Sequence, residues 1–107
     1  DEVATVLMEI ARTETMPRTD TLATALIAAM REAGGPMNTR PRREAGFSVL
    51  KSADIPSVLV EVGFLSDARD LANLRDPVWR AVMVAAQANG ILAWREEAAA
   101  TRTLIRQ

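Results

Sequence analysis

Val3, Val6, Leu7 and Ile10 recur at the i, i+3, i+4, i+7 spacing of one helical face, which predicts an amphipathic helix over residues 2–13. Thr13 to Pro17 are expected to end it, because proline has no N–H to donate and its ring disfavours helix in the residue before it. A second helix is predicted from Asp20, whose carboxylate can cap the free N–H groups of a first turn. Leu22, Leu26, Ala29, Met30 and Ala33 form its apolar face, and Gly34 and Gly35 end it where a left-handed C-cap excludes a Cβ.

After a loop at residues 35–45, GPMNTRPRREA, the pattern changes. Residues 47–50 are short and β-prone, and residues 51–56 make a turn. Residues 57–62, SVLVEV, are rich in β-branched side chains and apolar on both faces, the strongest strand signal in the chain. Gly63 ends that strand, and a short helix over residues 66–74 presents Leu71 and Leu74. The last helix opens on Asp76 as N-cap with Pro77 at the first helical position, where a missing N–H is harmless. Its stripe is Trp79, Val82, Met83, Ala86 and Trp94. Gly90, inside it, costs about 1 kcal/mol relative to alanine and so marks close packing. Residues 95–107 either extend this helix or fray. The predicted order is helix, helix, strand, strand, short helix, helix. That is an α/β pattern with too few strands for a doubly wound sheet, as expected of part of a domain.

Composition narrows the chemistry. A chain of 107 residues with 49% apolar content suits one small domain or a piece of a larger one, and is too apolar for disorder. A net charge of −1, with both signs interspersed, gives no electrostatic case for nucleic acid. The absence of cysteine excludes a thiolate nucleophile, a thiolate metal site and disulfides. Histidine is absent too, so these residues are poor zinc ligands by themselves. No apolar run is long enough to span a bilayer, and no signal peptide is expected at the acidic start of the chain.

Glu61 is the candidate for chemistry. It interrupts VLVEVGFL, where every other residue is apolar or glycine. A buried carboxylate is costly unless it is paired, hydrogen-bonded or near a metal, and the ends of strands are where α/β sheets place ligand crevices. Two readings are open from the pattern: a functional carboxylate, or a strand-end carboxylate that is solvated or paired with an arginine such as Arg69 or Arg80.

The stretch AGFSVLKSADIPSVLVEVGFLSDARD, residues 45–70, resembles the signature of the zinc-dependent N-acetylmuramoyl-L-alanine amidases, a family that includes the periplasmic cell-division amidases. Members carry a segment close to AGF-x-VLK-x-x-x-IPSVLVE-x-GF-[IL]-SN, and this chain matches it from Ala45 through Ser66, with Asp67 where asparagine is usual. Gly90, Ile91 and Trp94 resemble the family's GI-x-x-[aromatic] ending.

The resemblance implies the C-terminal portion, residues 1–107, of one amidase catalytic domain, a mixed sheet flanked by helices. It implies hydrolysis of the amide between N-acetylmuramic acid and L-alanine in peptidoglycan, in the periplasm. Zinc would be the cofactor, held by two histidines and a glutamate outside this chain, so that activity needs the N-terminal part of the same enzyme. Glu61 matches the family's acid/base glutamate. Residues 1–15 resemble the end of a regulatory insertion that covers the active site until a LytM-domain activator displaces it; packing of Val6, Leu7 and Ile10 into a core is the favoured alternative. Arg40, Arg42 and Arg43 are read as a solvated loop in preference to a site for anionic wall polymer or a substrate carboxylate. Asp67, Asp70 and Asp76 resemble no metal loop, and the two tryptophans, on one helix face, are read as core. The competing function is a non-catalytic wall-binding or activator-binding module.

Overall fold

The computed structural model describes residues 1–44, 50 and 52–106. Three helices carry the architecture: α1 Glu2–Glu32, α2 Ala68–Arg75 and α3 Pro77–Arg106.

Asp1 starts α1 by accepting from the Ala4 N–H at 3.0 Å. The helix then passes through Pro17 without a break. The expected interruption at residues 13–17 and the separate helix from Asp20 are therefore corrected to one helix of 31 residues. Pro17 removes one N–H from the ladder, but the residues after it are anchored by packing against α3, and tertiary context overrides local propensity. Asp20 lies mid-helix, and its carboxylate pairs with Arg42 instead of capping a first turn.

The end of α1 is as expected. Gly34 takes φ +83°, its N–H donates to the Arg31 carbonyl at 3.0 Å, and the Gly35 N–H donates to the Met30 carbonyl at 2.9 Å. These paired bonds are a Schellman cap, and its left-handed residue favours glycine.

α1 and α3 run antiparallel. The Trp94 indole N–H donates to Thr21 Oγ1 at 3.0 Å, Gly90 faces Ala25, Leu26 and Ala29, and Met83 meets Gly35. A Cβ on Gly90 would stand 3.2 Å from the Ala25 carbonyl oxygen, the Ala29 Cβ and the Leu26 Cα, so close approach explains the glycine. Leu22, Leu26, Met30, Met83 and Ala86 are the buried apolar residues, with Met37, Val60, Val62 and Trp79 packed on the Met30–Met83–Ala86 cluster. Both tryptophans are half-buried at this seam.

α3 begins as the sequence predicts: the Val78 N–H donates to Asp76 Oδ1 at 2.9 Å, and Pro77 is the first helical residue. It continues to Arg106, so the 95–107 segment extends the helix as far as the described residues go.

The predicted α/β class, a mixed sheet flanked by helices, is not found: among the described residues there is no strand. A strand is completed by hydrogen bonds to another segment, and residues 57–62 have no paired neighbour here. The other expected strand, residues 47–50, lies outside the described residues except for Leu50, which is not in a strand. Residues 57–62 nevertheless alternate: Val58, Val60 and Val62 turn inward, while Leu59 and Glu61 are exposed.

The first half of α1 also differs from expectation. Val3, Val6, Leu7 and Ile10 are exposed, so they do not join the core of the described residues. The contrast is measurable. Leu26→Ala, at a position 5% exposed, is expected to cost about 2–5 kcal/mol in urea denaturation. Leu7→Ala, at 61% exposure, is expected to stay within about 0.5 kcal/mol of the parent. Equal losses at the two positions would contradict this division of α1.

Candidate active site

A cavity of about 1050 Å³ lies between the inner side of α1, the loop after it, the segment leading to Gly63, and the start of α3. Its α1 wall includes Arg12, Thr15, Met16 and Thr19, and its floor includes Leu26, Met30 and Met83. Glu61 lines it, as do Arg40, Arg42 and Arg43. The candidate carboxylate and the three arginines, about twenty positions apart in sequence, thus line one cavity, without an ion pair between them among the described residues.

Glu61 is exposed, not buried. Its place follows from the alternation along residues 57–62: Val60 and Val62 pack against the core cluster, and the residue between them must point away. Among the described residues neither Arg69 nor Arg80 forms an ion pair with it, and the Arg80 guanidinium donates instead to the Leu74 carbonyl at 2.8 Å. Of the two alternatives to a functional role, the solvated one matches the placement and the arginine-paired one does not.

The arginines divide. Arg42 pairs with Asp20 of α1 and with Glu44 at 3.2 Å, which ties the loop to the helix. Arg40 and Arg43 are exposed and line the cavity.

Beyond Glu61 the chain turns at Leu65 and Ser66 into α2, with the Asp67 N–H donating to the Phe64 carbonyl at 3.1 Å. Asp67 caps α2 by accepting from the Asp70 N–H at 2.9 Å, so aspartate serves the helix start where asparagine is usual. Asp70 is the residue that pattern reading passed over. Its Oδ2 accepts from the Phe64 backbone N–H at 2.9 Å, closing the turn that follows Glu61. The sequence carries no signal of this bond, which forms only across the folded turn.

The N-acetylmuramoyl-L-alanine amidase family matches residues 3–93. The chain belongs to that family. It is 32% identical over 89 residues to N-acetylmuramoyl-L-alanine amidase AmiA of Salmonella typhimurium, an alignment covering 83% of this chain and 30% of that protein. It is 28% identical to AmiA of Escherichia coli over the same shares of both chains. A probable cell wall amidase, LytH of Staphylococcus epidermidis, is 32% identical over 67% of this chain and 24% of its own length. The chain therefore spans less than a third of the length of these relatives. No solved structure matches it.

The donor set for zinc does not fit within these residues. The sequence has no histidine or cysteine, and among the described residues no three acidic side chains converge. Calorimetry with zinc at neutral pH on the 107-residue chain is expected to show no tight binding; submicromolar one-to-one binding would overturn this reading of the donor set.

Proposed function

We propose that the complete protein hydrolyses the amide between N-acetylmuramic acid and L-alanine of the peptidoglycan stem, with Glu61 as its acid–base carboxylate. The observation that carries the reading is the placement of Glu61. It stands in a stretch matched by the amidase family, lines the cavity, and among the described residues has no ion-pair partner to occupy it. A carboxylate so placed is available to exchange protons with water and substrate.

The step asked of Glu61 is a proton relay. One carboxylate oxygen accepts a proton from the hydrolytic water as the water oxygen bonds to the lactyl carbonyl carbon. The protonated side chain then gives that proton to the L-alanine nitrogen as the carbon–nitrogen bond breaks, which leaves a free acid and a free amine. Arg40 and Arg43, exposed at the edge of the same cavity, offer positive charge to carboxylates of the anionic wall polymer. Zinc is proposed as the cofactor of the complete protein, with its ligands outside these residues. The periplasm is the proposed location.

Residues 1–15 are proposed to take part in regulation. Val3, Val6, Leu7 and Ile10 are exposed among the described residues, and Arg12 and Thr15 line the cavity that Glu61 also lines. A LytM-domain protein is the proposed activator. Leu7→Ala in the complete protein is expected to raise dye release from labelled peptidoglycan without activator and leave the melting temperature unchanged; unchanged basal release would remove Leu7 from regulation.

The acid–base role is tested by Glu61→Gln in the complete protein. Glutamine keeps the shape of the side chain but cannot take the water's proton. Turnover is expected to fall by about 10²–10⁴, or roughly 3–5 kcal/mol of barrier, with melting temperature and zinc content unchanged. Near-normal muropeptide hydrolysis by a folded, zinc-loaded variant would exclude Glu61 from the mechanism, whereas no hydrolysis by the zinc-loaded parent protein would favour a non-catalytic wall-binding or activator-binding module.

A further inference from the structure

Asp70 occupies a position that the hydrolytic reading leaves unexplained. Its own N–H is held by Asp67 Oδ1 at 2.9 Å, so its carboxylate rides on a fixed first turn of α2. That carboxylate reaches back to accept the Phe64 N–H at 2.9 Å. A charged acceptor on a backbone N–H makes one of the stronger hydrogen bonds available to a turn. The backbone has come as near as it can: a Cβ on Gly63 would lie 3.1 Å from the Asp70 Cβ and 3.2 Å from its Cγ. Asp70 is half-buried and lines the same cavity as Glu61.

Upstream of this turn, Val60 and Val62 are seated on the core cluster and Glu61 projects between them. The segment that carries Glu61 is thus held on its inner face by packing and at its downstream end by Asp70.

We propose that Asp70 is a positioning residue for amide hydrolysis. By accepting the Phe64 N–H it fixes the turn that begins three residues after Glu61, and so holds the course of the chain that presents the Glu61 carboxylate. The inference rests on the acid–base role proposed for Glu61. Asp70 itself exchanges no proton and touches no substrate in this scheme.

The test is a double-mutant cycle on the complete protein, with muropeptide hydrolysis, zinc content and melting temperature read on each variant. Asp70→Ala is expected to lower kcat roughly 10–100-fold, the scale of an ångström of misplacement, while KM is unchanged. Asp70→Asn, whose amide oxygen still accepts the Phe64 N–H, is expected to restore most of that loss. Gly63→Ala, which forces the turn away from an intact Asp70, is expected to lower kcat as Asp70→Ala does. Because Asp70 acts through Glu61, adding Asp70→Ala to Glu61→Gln should slow the reaction no further. If the two losses multiply, or if Asp70→Ala keeps full kcat, the positioning role is overturned while the role of Glu61 stands. If Glu61→Gln alone turns over normally, the acid–base role fails and this inference fails with it. Should Asp70→Ala not fold, Gly63→Ala combined with Glu61→Gln makes the same comparison.

Discussion

At Gly90 the two long helices approach so closely that a single methyl group would meet the α1 backbone at Ala25 and Leu26 and the Ala29 side chain. This contact sets the register for the rest of the molecule. With Gly90 against Ala25 and Ala29, the antiparallel course places Met83 beside Met30 and Gly35, and Trp94 beside Thr21. The small cluster so formed is the surface on which Val60 and Val62 lie. A core of so few buried residues has little apolar area to spare, so its geometry depends on the helices meeting without a gap. Glu61 is exposed because its two neighbours find that cluster in place.

What was legible in the sequence was local. Asp76 followed by Pro77, and Gly34 followed by Gly35, are helix boundaries whose causes lie within a few residues, and both are found where the residues predict them. Gly90 was legible for the same reason, since its cost within a helix demands a compensating contact. Pro17 misled because its effect was judged locally, while the continuity of α1 is enforced by α3, some seventy residues away. Residues 57–62 misled more deeply. Their β-branched composition describes a side-chain surface suited to a sheet, but a strand exists only with a partner, and among the described residues none is paired with it.

The candidate site shows the same division. Glu61 stood out because a charge in an apolar run is anomalous at any position. Its exposure was not legible, because the run reads as apolar on both faces until the core cluster selects Val60 and Val62 as the inner side. The arginines were placed in a solvated loop, and all three are exposed, yet they also border the cavity once α1 and Arg42 fix the loop. Asp70 had no anomaly to betray it: an aspartate in the first turn of a helix is favourable through the helix dipole alone. Only the folded turn shows that its carboxylate is spent on Phe64.

The single helix α1 also connects the two ends of the proposed behaviour. Its second half is the partner of α3, and the apolar residues Val3 to Ile10 of its first half are exposed, yet both halves contribute to the wall of one cavity, from Arg12 to Met30. Pro17 stands between the halves, where the ladder lacks one donor and resistance to bending is least. Pairing of Arg42 with Asp20, on the anchored side of Pro17, ties the arginine loop to the half that packs on α3. The cavity is therefore bounded by a half of α1 fixed on the core and a half that is not, and the segment that carries Glu61 rests on the fixed one.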